Sequence, residues 1–183
     1  MKTFLREVLG TLLLAVAISL LIQATVPSCP VVGSCMEPTL QEEGQRLIIS
    51  KITYLFHEPE RGDIIVFHPP HKPKDEPPYI KRIIGLPGDT IEIKGGAVYI
   101  NGSKLYEPYV KNPPNYTIAK LTIPENEYFV LGDNRPVADD SHNGWTVKRE
   151  DIIGKAWLSI WPPSKWGLAP NYPLQEQLAI STN

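Results

Sequence analysis

The chain is poor in cysteine and carries no excess of either charge. Its 183 residues include two cysteines, Cys29 and Cys35, too few for a disulfide framework. A bridge between them would need an oxidising compartment, and residues six apart on an extended strand lie too far from each other to favour one. A net charge of −2 leaves no broad basic field, which excludes the usual electrostatic route to nucleic acid. There is no internal repeat. Nineteen prolines and 13 glycines, most of them beyond residue 26, exclude long helices from the rest of the chain and favour a loop-rich β domain.

One long apolar run is present. Val8 to Ile22 reads VLGTLLLAVAISLLI without a charge. With Gln23 to Val26 it reaches roughly 28 Å as a helix, just enough for a bilayer. Nothing polar marks one face, so an amphipathic core helix is disfavoured. Lys2 and Arg6 precede the run and the next basic residue is Arg46, which by the positive-inside rule puts the N-terminus in the cytoplasm and the chain after about residue 27 outside. A basic start, an apolar middle and small residues such as Ala15 and Ala17 also fit a cleaved signal peptide.

Beyond Pro27 the pattern is that of strands. Arg46–Ser50, Asp63–Phe67, Lys81–Ile84, Glu127–Leu131 and Ile152–Ile160 read as buried strands. Thr90–Ile93 and Ala97–Ile100 flank Lys94-Gly95-Gly96, a hairpin loop, and Asn101-Gly102 turns the chain into Lys104-Leu105. His68–Pro78 and Tyr106–Tyr116 are aperiodic loops. Trp161 onward is a proline-punctuated tail whose tryptophans either touch lipid or pack in the core. The expected fold is mostly β, a coiled antiparallel sheet or partial barrel with a small hairpin elaboration around residues 89–125.

Three segments compete to form a site. Gly33 to Leu40 reads GSCMEPTL, where glycine permits close backbone approach and Pro38 stiffens the exit. Lys81 lies in YIKRIIGLPGD, an ammonium among isoleucines. Gly132-Asp133-Asn134-Arg135 is followed by Asp139-Asp140-Ser141-His142. Taken singly, each has a plain alternative: an ordinary turn, a strand lysine snorkelling to the rim, and a solvated turn.

Together these segments resemble the bacterial type I signal peptidases, membrane-anchored proteases with a Ser–Lys dyad. Four boxes carry the likeness in order, at Gly33–Leu40, Arg61–Phe67, Lys81–Asp89 and Gly132–Ser141, and it extends from the N-terminal apolar run to about Pro162. The resemblance implies a retained anchor in residues 1–27, an extracytoplasmic catalytic domain in 28–183, and removal of signal peptides from preproteins after Ala-x-Ala-like sites, with no cofactor and no metal. It implies Cys35 at the nucleophile position and Lys81 as general base. The Cys35 backbone N–H, with Gly33, would hold the oxyanion. Cys29, Val31 and Val32 on one side and Pro78, Tyr79 and Ile80 on the other would hold an extended substrate, Val31 and Ile80 lining small apolar pockets. Met36, Arg82, Asp133, Asp140 and Ser141 would support the site.

The chain departs from the family pattern in three places. Cys35 replaces the nucleophilic serine, Ala138 replaces a serine whose hydroxyl holds the lysine, and His142 stands where many relatives have arginine. Ser34, one residue out of register, would face the other side of an extended segment. A lysine is a poor base at its ordinary pKa of about 10.4, and desolvation favours its neutral form. A thiol of ordinary pKa about 8.5 can exchange a proton with such an amine. The substitutions point to weakened catalysis, or to a homologue that binds preproteins without efficient cleavage.

Overall fold

The computed structural model describes residues 2–25, 28–41 and 44–172. Val26 and Pro27, expected at the end of the apolar segment, and the chain beyond residue 172 lie outside the described residues. Lys2–Thr25 forms one α-helix, α1, on which Leu9, Leu12, Leu13, Leu14 and Leu20 are exposed. Among the described residues no helix is long and apolar enough to cross a membrane.

The strands follow in chain order: β1 (Ser28–Pro30), β2 (Arg46–Ser50), β3 (Ile64–Phe67), β4 (Tyr79–Gly85), β5 (Thr90–Lys94), β6 (Ala97–Ile100), β7 (Ser103–Lys104), β8 (Ile118–Thr122), β9 (Glu127–Leu131), β10 (Val147–Lys148), β11 (Ile152–Trp161) and β12 (Gly167–Leu168). A single helical turn, α2 (Thr53–Phe56), follows β2. The main sheet runs β1-β2-β11-β3-β4-β9-β10, with β12 paired to β11, and every neighbouring pair is antiparallel. The register slips within the β11 pairings and between Ile83 and Gly85 of β4. Extra residues of this kind bend strands and increase their twist, which fits the curl of the sheet. A smaller sheet, β7-β6-β5-β8, is built from the expected hairpins plus β8.

The loops at 68–78 and 106–116 contain no strand. Four strands did not announce themselves in the sequence, and one of them is β8, a five-residue edge strand that is half-buried at best. β1 is three residues ending in a proline, β10 and β12 are two residues each, and all three exist only because a longer strand presents an edge to them.

β3 is buried on both faces, and its alternation separates two cores. Ile64 and Val66 pack with Val31, Met36, Leu40, Leu47, Ile49 and Ile80 on one side; Ile65 and Phe67 pack with Ile83, Tyr128, Val130 and Val147 on the other. The smaller sheet has its own core of Ile91, Ile93, Val98 and Ile100, closed by Ile84, Phe129 and Leu131 from β4 and β9. β4 therefore runs through the centre of the molecule, which is why Lys81 and Arg82 are 3% and 0% exposed. Trp161 and Trp166, by contrast, are 53% and 69% exposed and do not pack in a core.

Candidate functional site

The segment around Cys35 is not extended. Gly33 takes φ +84°, a conformation favouring glycine, and the chain then closes into a 3-10 turn at Ser34–Met36. Ser34 is therefore not set aside by strand alternation, as the sequence suggested, but by the turn, which carries Cys35 to the lysine. Lys81 Nζ donates to Cys35 Sγ at 3.0 Å and to the Ile80 carbonyl at 3.2 Å. Its Nζ lies 4.9 Å from the Tyr79 ring centroid, as expected for residues two apart on one strand face. Among the described residues no carboxylate pairs with Lys81, so a buried amine is held by a thiol, a carbonyl and an aromatic face. Met36, 1% exposed, plugs the turn into the core beneath.

Both groups open onto a cavity of about 440 Å³ lined by Cys29, Pro30, Val32, Cys35, Pro77, Pro78, Tyr79, Ile80, Lys81 and Asp139. The expected substrate-binding residues come together there, with one difference. Val31 is 5% exposed and turns into the core, whereas Val32 is 74% exposed and faces the cavity. The two walls have free backbone edges. β1 is the outermost strand of its sheet, and β4 pairs with β9 only from Arg82 onward, leaving Tyr79 to Lys81 unpaired on that side.

Segment 132–135 ties the two halves together. A Cβ on Gly132 would come 2.6 Å from the Cys35 carbonyl and 2.4 Å from Ala138 Cβ, so this approach requires glycine. Asp133 forms a two-pronged ion pair with Arg82, Nε to Oδ1 at 2.9 Å and Nη2 to Oδ2 at 2.7 Å, both side chains fully buried. Arg82 also donates to the Gly62 and Pro170 carbonyls and lies against Tyr109. Arg135 donates to the Gly132 carbonyl and pairs with Glu107. Asp140 accepts from the Gly132 N–H at 2.9 Å, and Ser141 Oγ accepts from the Val130 N–H at 3.0 Å. Of the residues expected to support the site, Arg82 and Asp133 hold each other, while Asp140 and Ser141 hold the backbone of Gly132 and Val130.

The family model for signal peptidase, peptidase S26, matches residues 5–161 of this chain. The chain belongs to the signal peptidase family, peptidase S26. A probable signal peptidase I-1 of Synechocystis sp. is 39% identical over 170 residues, covering 90% of this chain and 86% of the relative. The signal peptidase I of Leptolyngbya laminosa is 43% identical over 169 residues, covering 89% and 83%. A crystal structure of a signal peptidase I from Enterococcus faecalis is 36% identical, covering 54% of this chain and 97% of that one, with a TM-score of 0.47. The protein is a hydrolase of the signal peptidase I type, and signal peptide cleavage is its reaction.

Within this signal peptidase, two features escaped the sequence reading. Asp139 sits at the cavity rim, accepting from Tyr79 Oη at 3.0 Å and Asn143 Nδ2 at 2.8 Å, with His71 Nε2 at 3.2 Å. Burial pushes its pKa up, but the bonds from Asn143 and Tyr79 outweigh this and hold it below the usual value. His71 comes from the aperiodic 68–78 loop, which no motif covers. Asn134, inside a recognised box, makes contacts described below that its position in the box does not disclose.

His142, expected to depart from the family pattern, pairs with Asp140. Its Nδ1 lies 2.7 Å from Asp140 Oδ1, and its ring stacks on Tyr116 at 4.3 Å. The Asp140 hydrogen bond raises its pKa above the ordinary histidine value. A raised folded-state pKa adds stability that is complete below the unfolded value of about 6.5 and is lost as pH rises through the folded value. Thermal unfolding of the wild type is therefore expected to lose stability across that window relative to a His142→Arg variant, whose charge persists. Parallel melting curves for the two from pH 5.5 to 9 would contradict this brace.

Proposed function

We propose that this enzyme is a membrane-anchored endopeptidase in which Cys35 and Lys81 form the catalytic dyad. The observation that carries the reading is the 3.0 Å contact between the Lys81 amine and the Cys35 thiol, at the floor of a cavity walled by two free strand edges. The preprotein lies extended between β1 and Tyr79–Lys81, pairing its backbone with both edges. Cys29, Val32 and Ile80 offer an apolar wall against which small side chains fit, as an Ala-x-Ala site demands.

In the reaction, the thiol proton passes to the Lys81 amine and Cys35 sulfur bonds to the scissile carbonyl carbon. The oxyanion faces the Cys35 N–H, near Gly33. As the C–N bond breaks, Lys81 returns the proton to the leaving amine, leaving a thioester on Cys35. Lys81 then takes a proton from a water molecule that attacks the thioester, and collapse releases the new carboxylate and restores the thiol. A thiolate departs easily from the first tetrahedral intermediate, so forward progress depends on Lys81 protonating the amine. Ala138, buried beside Gly132, supplies no hydroxyl to the lysine. One hydrogen bond to such a group is worth about 1.5–3 kcal/mol, roughly ten- to a hundredfold in rate. This favours slower turnover than in a Ser–Lys relative, and is the feature behind the alternative of binding without efficient cleavage.

The uncharged run from Val8 to Ile22 and the leucines exposed along α1 support the anchor, the N-terminus lying in the cytoplasm and residues from 28 onward outside it. The exposed Trp157, Trp161, Trp166 and Leu168 support contact with the lipid surface. The test is cleavage of a preprotein bearing an Ala-x-Ala site by full-length protein in vesicles under reducing conditions. Cleavage is expected, and iodoacetamide is expected to abolish it. Cleavage that survives complete alkylation of Cys35 would exclude the thiol nucleophile, and no cleavage under any reducing condition would leave the binding alternative.

A further inference from the structure

Asn134 grips the turn that presents Cys35. Its Nδ2 donates to the Ser34 carbonyl at 3.1 Å, and its backbone N–H donates to the Cys35 carbonyl at 2.9 Å. It therefore holds the carbonyls of two successive peptide units in the turn that presents Cys35. A trans peptide is planar, with its C=O and N–H pointing in opposite directions. Tying the Ser34 carbonyl to Asn134 thus sets where the Cys35 N–H points, since both belong to one peptide unit. The Glu37 N–H bonds the same Ser34 carbonyl at 3.2 Å, closing the turn from the other end.

The clasp is itself rigidly held. Gly132 abuts the Cys35 carbonyl, Asp133 is locked to the buried Arg82 next to Lys81, and the Asn134 amide oxygen faces Asn112 Nδ2 at 3.4 Å. The strand that carries the lysine and the turn that carries the thiol are in this way indexed to each other through three consecutive residues. Without the side-chain bond, the 34–35 peptide can rock, and the N–H is no longer aimed at one point in the cavity. Stabilisation of a developing oxyanion depends on donors fixed before the charge appears.

We propose that Asn134 is a positioning residue for the oxyanion hole, acting through the Ser34–Cys35 peptide. This rests on the reading that Cys35 attacks the scissile carbonyl. It has a signature that a general structural role lacks. Steps that form a tetrahedral oxyanion suffer when Asn134 changes, while steps that use the thiol without one do not.

The experiment compares wild type with Asn134→Ala and with Asn134→Asp, which keeps size and backbone bond but removes the side-chain donor. For an Ala-x-Ala peptide, kcat is expected to fall about ten- to a hundredfold in both, short of the 10²–10³ associated with losing a donor outright, with KM within about twofold. Inhibition by a peptide aldehyde, which forms a tetrahedral adduct on the thiol, is expected to weaken by the same factor. Alkylation of Cys35 by iodoacetamide, a displacement with no oxyanion, is expected to keep its wild-type rate. Unchanged kcat, or a joint fall of kcat, aldehyde affinity and alkylation rate, would overturn the proposal. If Asn134→Ala does not fold, Asn134→Asp decides alone. If the wild type itself does not cleave, the dyad reading fails first and independently of Asn134.

Discussion

Replacing Lys81 by alanine is expected to lower kcat/KM for a signal-bearing preprotein by about 10²–10⁴, the usual contribution of a positioned general acid and base. The size follows from how alone the amine is. It bonds the Cys35 sulfur and the Ile80 carbonyl, and no carboxylate among the described residues shares its task. In the mechanism proposed above, the same group takes the proton from the thiol and delivers it to the leaving amine, so its loss is expected to affect both halves of acyl transfer. Lys81→Arg is not expected to rescue, because a guanidinium does not deprotonate in a protein. Lys81→Met keeps the length and removes the amine, which separates chemistry from packing. Steady-state cleavage of one peptide by the three variants, with melting curves as a folding control, checks the point. A Lys81→Met enzyme that keeps more than a tenth of wild-type activity would remove Lys81 from the mechanism.

Asp133→Ala is expected to destabilise the fold by about 3–5 kcal/mol, because it strands a buried guanidinium. For a chain of this size that corresponds to a fall in Tm of roughly 6–20 °C. Arg82 is 0% exposed and satisfied by both Asp133 oxygens, two carbonyls and an aromatic face, so no water can replace the lost anion without opening the core. Removing both charges is a different experiment. Arg82→Met with Asp133→Leu leaves no uncompensated charge and is expected to recover much of the loss. Because Asp133 adjoins Asn134, the double variant is also expected to cleave slowly despite its stability. Thermal unfolding of the single and double variants measures the first claim. A Tm drop below about 3 °C for Asp133→Ala would contradict it.

Much of this was legible in the chain. The strands from Arg46 to Phe67, the hairpins at Lys94-Gly95-Gly96 and Asn101-Gly102, and β9 announce themselves by β-branched runs between turn residues, signals local enough to survive without tertiary context. The likeness of the four boxes implied one site for Cys35, Lys81, Arg82, Asp133, Asp140 and Ser141. Val31 and Val32 were not separable, since adjacent valines just past a short strand differ only in which one meets the core, and that depends on β2 and on Met36. β1, β10 and β12 were invisible because two or three residues carry no periodicity, and β8 because its half-exposed IAKLT offers no buried run.

Residue types and their order therefore determined the family and most of the longer strands, and singled out Cys35 and Lys81 as a candidate pair. They did so because turn chemistry and hydrophobic alternation act over a few residues. Tertiary structure alone decided that Gly33 opens a 3-10 turn rather than a strand, and that this turn sets Cys35 Sγ against Lys81 Nζ at 3.0 Å. It also decided that Asn134 grips the carbonyls behind the thiol. Each of those contacts joins segments tens of residues apart, and their geometry is fixed by the packing of β4 through the centre of the molecule, which no local pattern encodes.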